Sequence, residues 1–158
     1  MERILITGAS GFIGSFIVEE ALQRGMEVWA AVRRSSSREW LQDDRIHFIE
    51  LNLSSEEDLK NQLKDHVFDY VVHAAGVTKC LKKEQFYKVN TEGTRHLVQA
   101  LLALHMPLKR FVYLSSLSIF GIKVMPMPRV IRPKLRASRR RPAPRLCPTS
   151  VVAASEIP

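Results

Sequence analysis

The stretch Thr7-Gly8-Ala9-Ser10-Gly11-Phe12-Ile13-Gly14 decides the fold of this chain of 158 residues. It follows a short apolar run at residues 3–7 and opens a segment, residues 12–24, in which apolar side chains recur at helical spacing. An apolar run that a glycine stops is typical of a buried parallel strand, and Gly25 stands where a helix C-cap is expected. The stretch therefore predicts a tight turn between a first strand and a first helix.

The alternation of strand and helix continues along the chain. Apolar and amphipathic patterns predict four more strands and two more helices, the strands at residues 28–32, 46–51, 69–73 and 109–114 and the helices at residues 54–64 and 91–105. Ser54, with Glu57 three residues later, is the predicted N-cap of the second helix. Strands that alternate with helices form a parallel sheet with helices on both faces. The sequence therefore predicts the α/β class with a doubly wound parallel sheet.

The predicted strands end in the most distinctive short sequences of the chain. These lie at residues 8–14, 33–34, 52–53, 73–76 and 115–116. In doubly wound sheets, ligands bind beyond the carboxyl ends of the strands. The convergence of these sequences at one edge of the sheet predicts a binding site there.

Charge and composition divide the chain at residue 121. Residues 1–121 hold 15 Lys and Arg and 15 Asp and Glu, whereas residues 122–158 hold nine basic residues and one acidic residue and so carry the whole net charge of +8. All seven Gly and all twelve aromatic residues precede residue 122, and seven of the eight Pro follow it. We therefore predict a neutral domain at 1–121 and a basic, Pro-rich tail at 122–158 that is irregular and disordered.

Several classes of protein are excluded by the composition. No apolar run approaches the ~18 residues that a membrane span requires, and the N-terminal residues lack the order of a secretory signal. The two cysteines, Cys80 and Cys147, provide neither a disulfide framework nor the spacing of a metal site. We expect a cytoplasmic protein with no membrane partner and no metal.

The three glycines of the opening stretch predict a dinucleotide site. Gly8 permits a tight turn, Gly11 lets a pyrophosphate approach the backbone, and Gly14 lets the helix pack closely on the strand. The N-terminus of the first helix offers free N–H groups and a positive dipole end to the phosphates. The alternative is a loop that needs glycine for its turn geometry alone.

The end of the second strand indicates which dinucleotide is bound. An NAD site usually has an acidic residue there for the adenosine 2′-hydroxyl. This chain has Arg33 and Arg34 instead, and its next carboxylate is Glu39. Because an arginine can bind a 2′-phosphate that a carboxylate would repel, NADP(H) is the preferred cofactor and NAD(H) the alternative. Both arginines could also be solvated loop residues.

Together these segments resemble the extended short-chain dehydrogenase/reductase family of the NAD-dependent epimerase/dehydratase type. The matching segments, in the order of the family, are residues 7–14, 51–53, 73–76, 89–94 and 113–121. The resemblance implies a Rossmann-like sheet and hydride transfer to or from a nicotinamide, in an oxidoreductase or a nucleotide-sugar epimerase or dehydratase. It also implies a small-molecule substrate, which the sequence does not identify, and allows a homodimer in full-length members.

The resemblance implies roles for individual residues. The residues that it places at the cofactor are Gly8, Ser10, Gly11, Phe12, Ile13, Gly14, Arg33, Arg34, Asn52, Leu53, Ala74, Ala75, Gly76 and Asn90. Asn52 stands where the family usually has an Asp beside the adenine. Asn90 resembles a structural asparagine at the head of the long helix, with a simple N-cap as the alternative.

Ser116 is the one catalytic residue that the resemblance implies. It aligns with the family's active-site Ser or Thr, whose hydroxyl binds the substrate oxygen that gains or loses charge during hydride transfer. Capping of a strand end by Ser115 and Ser116 is the alternative. We interpret His73 as a structural residue rather than a general base.

The family's catalytic Tyr-x-x-x-Lys pair is missing from this sequence. In the family the Tyr is the general acid and base, and the Lys lowers its pKa. No tyrosine follows Tyr113. We therefore expect the chain to show little turnover alone. The family's sixth strand and C-terminal substrate domain are also missing, so we expect the sheet to be truncated after its fifth strand.

Three interpretations of the tail stay open. It is a disordered basic arm for nucleic acid or another polyanion, a solvated linker, or the product of a reading-frame change just after Gly121. We favour the third as a hypothesis, because the family resemblance stops abruptly there. The candidate functions are accordingly an NAD(P)-binding portion of such an enzyme, a non-catalytic NADP(H)-binding module or sensor, and, least favoured, polyanion binding through the tail.

Overall fold

The computed structural model describes residues 1–78 and 82–116 and the strand Ala154–Glu156. Cys80, Cys147 and nearly all of the predicted tail lie outside the described residues. The chain divides into two compact units, of which Met1–Leu114 together with Ala154–Pro158 forms the first and Ser115–Ala153 the second. All of the described helices and strands belong to the first unit.

A six-stranded sheet with helices on both faces forms this unit. Its elements are β1 (Arg3–Thr7), α1 (Phe12–Gln23), β2 (Glu27–Val32), β3 (His47–Glu50), α2 (Glu56–Leu63), β4 (Tyr70–His73), α3 (Lys83–Phe86), a π-helical stretch (Tyr87–Glu92), α4 (Gly93–Ala103), β5 (Arg110–Leu114) and β6 (Ala154–Glu156). The strand order is β3-β2-β1-β4-β5-β6, and β1 to β5 are parallel. The predicted α/β class and doubly wound parallel sheet are confirmed.

The long helix begins earlier than the sequence predicted. Its α-helical part runs through Gly93–Ala103, but a π-helical stretch and α3 precede it, so that the helical backbone starts at Lys83. Asn90 therefore lies inside the helix, and the N-cap alternative for this residue is wrong. An i→i+5 stretch leaves no periodic signature in the side-chain pattern that sequence reasoning uses.

The N-cap of α2 is Ser55, one residue later than predicted. The Ser55 hydroxyl accepts a hydrogen bond from the Asp58 backbone N–H at 3.2 Å. The Ser54 N–H is already donated to the Asn52 side-chain oxygen at 3.1 Å. Ser54 and Ser55 are equally suitable N-caps by residue type. The turn at Asn52, which uses the Ser54 N–H, leaves Ser55 as the residue that caps the helix.

One short piece of the predicted tail forms a strand. Ala154–Glu156 pairs antiparallel with β5, with Val112 opposite Glu156 and Leu114 opposite Ala154. An edge strand presents unpaired N–H and C=O groups that another extended segment satisfies. Residues 149–157 contain no Pro, so each of them keeps the backbone N–H that strand pairing uses.

Alternate residues of the strands build two apolar layers, one on each face of the sheet. In β1, Ile4 and Ile6 pack beneath α1, whereas Leu5 faces α2 and α4. Leu59 of α2 and Leu97 of α4 are completely buried in the second layer. Because both faces of the sheet are buried, successive residues of a strand are apolar, and each strand appears in the sequence as a short continuous apolar run.

Truncation of a buried leucine of α4 should be much more costly than truncation of an exposed one. Leu97 is fully buried, whereas Leu102 of the same helix is 69% exposed. We expect Leu97→Ala to lower the free energy of unfolding by about 2–5 kcal/mol through lost burial and a residual cavity. Leu102→Ala, the matched control, should change it by less than about 0.5 kcal/mol in urea unfolding. Equal effects of both variants would contradict this packing.

Candidate functional site

A cavity of about 280 Å³ lies at the carboxyl ends of the parallel strands. The described residues that line it are Thr7, Gly8, Ser10, Gly11, Ala31, Val32, Arg33, Ser36, Leu51, Asn52, Leu53, Ser54, Ala74, Ala75, Gly76, Val77, Lys88, Val89 and Gly93. They come from the ends of β1 to β4 and from the long helix. The structure thus brings together the segments that the sequence singled out, apart from Ser115 and Ser116.

The glycine loop approaches the neighbouring backbone too closely for side chains. Gly8 has a positive φ of 70°, and a Cβ on it would lie 2.6 Å from the carbonyl oxygen of Ala74. A Cβ on Gly14 would collide with the Gly8 carbonyl group. Turn geometry and packing therefore account for these two glycines.

Gly11 is different, because it is exposed and a Cβ on it would lie 3.2 Å from the Gly8 carbonyl oxygen. It is the N-cap of α1 and has no side chain with which to cap the helix. The first intrahelical bond comes from the Ser15 N–H, so the N–H groups of residues 12–14 have no partner within the helix. Open N–H groups beside a glycine in a cavity fit a phosphate group.

A chain of hydrogen bonds holds the loop after β4 against the glycine loop. The Ala75 N–H donates to the Thr7 hydroxyl oxygen at 3.3 Å. The Thr7 hydroxyl lies 2.6 Å from Nδ1 of His73, and Nε2 of His73 lies 2.9 Å from the Thr94 hydroxyl. The Thr94 hydroxyl donates to the Asn90 carbonyl oxygen at 2.7 Å.

These contacts determine which ring nitrogen of His73 carries the proton. Because Thr94 uses its proton on Asn90, it accepts from Nε2–H, and Nδ1 accepts from Thr7. His73 is buried, and burial lowers its pKa to about 4. It is therefore a neutral residue that links β1, β4 and the long helix, as a structural interpretation requires.

Asn90 fixes the same loop from the helix side. Its side-chain oxygen accepts from the Val77 N–H at 2.8 Å, and its amide donates to the Val77 carbonyl at 3.0 Å. A Cβ on Gly76 would lie 3.1 Å from this side chain. Asn90 shapes the cavity wall without being one of its lining residues.

Arg33 and Arg34 lie in the turn that follows β2. The Arg33 N–H donates to the Ser36 hydroxyl at 3.0 Å, and the Ser36 N–H donates to the Arg33 carbonyl at 2.9 Å. Arg33 lines both the cavity at the strand ends and a neighbouring, more open cavity that Glu50 and Asp58 also line, whereas Arg34 lines the neighbouring cavity alone. The two arginines are therefore not equivalent.

Some predicted residues stand apart from the cavity lining, and others were missed. Phe12, Ile13 and Gly14 belong to the adjoining helix start. Ser116 follows β5 by two residues and belongs to the second compact unit. Sequence reasoning missed the residues of the cavity wall Val77, Lys88, Val89 and Gly93 and the two hydroxyls that hold His73. Thr7 lies inside the matched segment at 7–14, and Val89, Gly93 and Thr94 lie inside that at 89–94, but no motif marks Val77 or Lys88.

Two kinds of feature are absent from the part of the chain that the structure describes. No helix there is long and apolar enough to cross a membrane. No three His, Cys, Asp or Glu side chains there come together in a way that could hold a metal ion.

Comparison with known proteins assigns the family. The model of the NAD dependent epimerase/dehydratase family matches residues 4–139. The chain belongs to the NAD-dependent epimerase/dehydratase family. The match passes residue 121, where charge and composition change. Family membership indicates that the chain binds a nicotinamide dinucleotide. The glycine loop with its open helix N-terminus fits the phosphates of such a cofactor.

Relatives with different activities are similar to this chain in sequence. A UDP-glucose 4-epimerase of Klebsiella pneumoniae is 32% identical over 130 residues, which are 75% of this chain and 92% of that protein. The decarboxylating sterol-4-alpha-carboxylate 3-dehydrogenase of Candida albicans is 28% identical over 126 residues, which are 75% of this chain and 35% of that one.

A solved structure shows the same fold. The Bordetella bronchiseptica enzyme WbmH in complex with NAD+ superposes with a TM-score of 0.68 at 29% identity, over 84% of this chain and 46% of that one. The chain thus spans less than half the length of the Candida and Bordetella relatives.

The stability of this family member should depend on pH through His73. The depressed pKa means that between pH 6.5 and about 4 the unfolded chain binds a proton that the folded chain does not. The free energy of unfolding should therefore fall by up to about 3 kcal/mol as pH falls through this window, and this contribution should be constant above it.

His73→Gln should remove that part of the pH dependence, because a glutamine amide does not titrate. His105→Gln, at an exposed histidine, is the matched control and should keep it. Urea unfolding of both variants between pH 4 and pH 8 measures the difference. Identical pH profiles for the two would refute the assignment of a buried neutral histidine.

Proposed function

We propose that this chain is the NAD(P)-binding portion of an extended short-chain dehydrogenase/reductase, an oxidoreductase or nucleotide-sugar epimerase or dehydratase. The observation that carries the proposal is the glycine loop, with the open N-terminus of α1, at the edge of the cavity. The Bordetella relative was solved with NAD+, and several relatives are UDP-glucose 4-epimerases. These facts support a nicotinamide cofactor and hydride chemistry.

Individual residues of the chain have separate roles in this proposal. The N–H groups at the start of α1 bind the pyrophosphate, and Asn52 and Leu53 lie beside the adenine. Ala74, Ala75 and Gly76 leave room for the cofactor because their side chains are small or absent. When bound, the nicotinamide accepts or donates a hydride. Ser116 binds the substrate oxygen at which charge develops.

NADP(H) is the preferred cofactor in this proposal, for an electrostatic reason. Among the described residues that line the cavity at the strand ends there are two cations, Arg33 and Lys88, and no carboxylate. The Arg33 guanidinium makes no hydrogen bond or ion pair with the described residues, and it is exposed. A free guanidinium beside the Ser36 hydroxyl suits a 2′-phosphate. Arg34, which does not line the cavity at the strand ends, is the weaker candidate.

A second candidate function is a non-catalytic dinucleotide-binding module or sensor. The observation that favours it is the lack of any tyrosine after Tyr113, since the family's general acid and base is a Tyr. General acid and base catalysis is typically worth ~10²–10⁴-fold in rate. We therefore expect cofactor binding with little turnover by this chain alone, in a cytoplasmic setting. Rapid NADPH oxidation with a nucleotide-sugar substrate would favour the enzyme instead.

Reversal of charge at Arg33 should switch the cofactor preference. We expect Arg33→Asp to weaken NADPH binding by about 10- to 100-fold, because a charge-assisted contact with the phosphate becomes a repulsion. NADH binding should be unchanged or stronger, because a carboxylate accepts from the 2′-hydroxyl. Calorimetric titration with both cofactors gives the two dissociation constants.

Arg34→Asp is the matched control for this prediction. It makes the same change in charge in the same turn, one residue away, and should weaken NADPH binding several-fold less than Arg33→Asp. Equal affinity of the unaltered protein for NADPH and NADH would contradict the preference for NADP(H). Equal losses in the two variants would contradict the distinction between the two arginines.

A further inference from the structure

The turn after β3 holds the side chain of Asn52 by both of its polar atoms. Its Oδ1 accepts a hydrogen bond from the Ser54 backbone N–H at 3.1 Å. Its Nδ2 donates to the Asp58 carboxylate at 2.7 Å. The Asn52 N–H itself donates to the Gln62 side-chain oxygen at 3.0 Å. The amide is therefore tied to the turn and to the first turn of α2.

The two hydrogen-bond partners of the Asn52 side chain allow only one orientation of its amide. A backbone N–H can only donate, and a carboxylate can only accept. Exchange of the oxygen and nitrogen of Asn52 would place N–H against N–H at Ser54 and oxygen against oxygen at Asp58. The orientation is thus fixed by chemistry, in contrast to an amide whose partners can serve in either sense.

The rest of the turn is held from the other side. His96 of α4 contacts the Leu53 carbonyl oxygen through Nδ1 at 3.0 Å. A Cβ on Gly93 would lie 3.5 Å from the Leu53 side chain, so the turn packs closely on the long helix. The backbone next to Asn52 is therefore held by the long helix, while the Asn52 side chain itself is exposed.

Two hydrogen-bonding sites of the Asn52 amide are not used by the turn. One of its two N–H groups and one of the two lone pairs of Oδ1 stay available. Asn52 and Leu53 both line the cavity. The chain therefore presents a donor next to an acceptor, in a fixed order, at the place that the proposed function gives to the adenine.

Adenine and hypoxanthine differ in this order. Adenine carries an amino donor next to a ring-nitrogen acceptor, and an asparagine amide can bind both at once. On the Watson–Crick edge, where adenine has its N6 amino group beside N1, hypoxanthine carries a carbonyl acceptor beside an N1–H donor, so the amide would have to turn over to match it. A fixed amide can match only one of the two bases.

We propose that Asp58 is a positioning residue that locks the Asn52 amide, so that the cavity selects adenine dinucleotides over hypoxanthine dinucleotides. This inference rests on the proposed function, because it assumes that a dinucleotide occupies the cavity. Asp58 acts through Asn52 and takes no part in the chemistry of the nicotinamide.

The pair also explains why Asn stands here in place of the Asp that is usual in the family. An Asp at residue 52 would place two carboxylates at the 2.7 Å contact that Asn52 and Asp58 now make. That contact would lack a proton to share and would suffer repulsion between like charges. Asn52 and Asp58 are therefore complementary, and the change at one position suits the residue at the other.

Asp58→Asn tests the lock with little change in shape. An asparagine at this position can offer either an acceptor or a donor, so Asn52 loses one of the two partners that fix its orientation. Glu57→Gln removes the same charge from the same turn of α2, at an exposed residue with no hydrogen bond to Asn52 among the described residues. It is the matched control.

The measurement is calorimetric titration of the complete chain with NADPH and with reduced nicotinamide hypoxanthine dinucleotide phosphate. We expect the unaltered protein and Glu57→Gln to bind the adenine form about fivefold or more tightly. In Asp58→Asn the ratio of the two dissociation constants should fall, because only the Ser54 N–H then holds the amide in its orientation. A merely structural role for Asp58 would weaken both ligands alike and leave the ratio unchanged.

The outcomes separate this inference from the function on which it rests. If both dinucleotides bind and Asp58→Asn leaves their ratio as in the unaltered protein, the positioning role is refuted and the cofactor site stands. If both bind the unaltered protein equally, the selection of adenine is refuted in the same way. If neither binds, the proposed function fails and this inference fails with it.

Discussion

The close approach of the glycine loop to the loop after β4 is the constraint on which the site depends. At Gly8 the backbone has a positive φ and leaves no room for a Cβ against Ala74, and at Gly14 the helix packs on the Gly8 carbonyl group. Because both contacts exclude side chains, α1 starts directly at the carboxyl ends of β1 and β4. Its first N–H groups therefore open at the edge of the cavity.

Buried polar groups hold that approach together. The hydrogen bonds from Ala75 through Thr7, His73 and Thr94 to the long helix satisfy each group they contain. Among the described residues no buried side-chain nitrogen or oxygen lacks a partner. A network of this kind favours one arrangement of the loops, since a partly satisfied network is costly in a buried site. The cavity is thus shaped by residues that need not touch a ligand.

The sequence predicted the parallel sheet and the regions of the cavity well, because glycine spacing and strand periodicity are local signals. Gly8, Gly14 and the strand ends are therefore where the sequence placed them. The interior position of Asn90 and the choice of Ser55 over Ser54 were not predicted, since a π-helical stretch and the turn at Asn52 decide them. The strand at Ala154–Glu156 and the Thr7–His73–Thr94 contacts join residues far apart in sequence, and no local pattern encodes such pairings.

The central claim is that the glycine loop and the loop after β4 together bind a nicotinamide dinucleotide. Amide hydrogen exchange of the complete chain, with and without saturating NADPH, tests it most directly. We predict that exchange slows at residues 11–14 and at residues 74–77 on addition of the cofactor, while the exposed end of α4 near Leu102 is unaffected. Protection confined to the basic residues after 121, or no protection in either loop, would contradict the account.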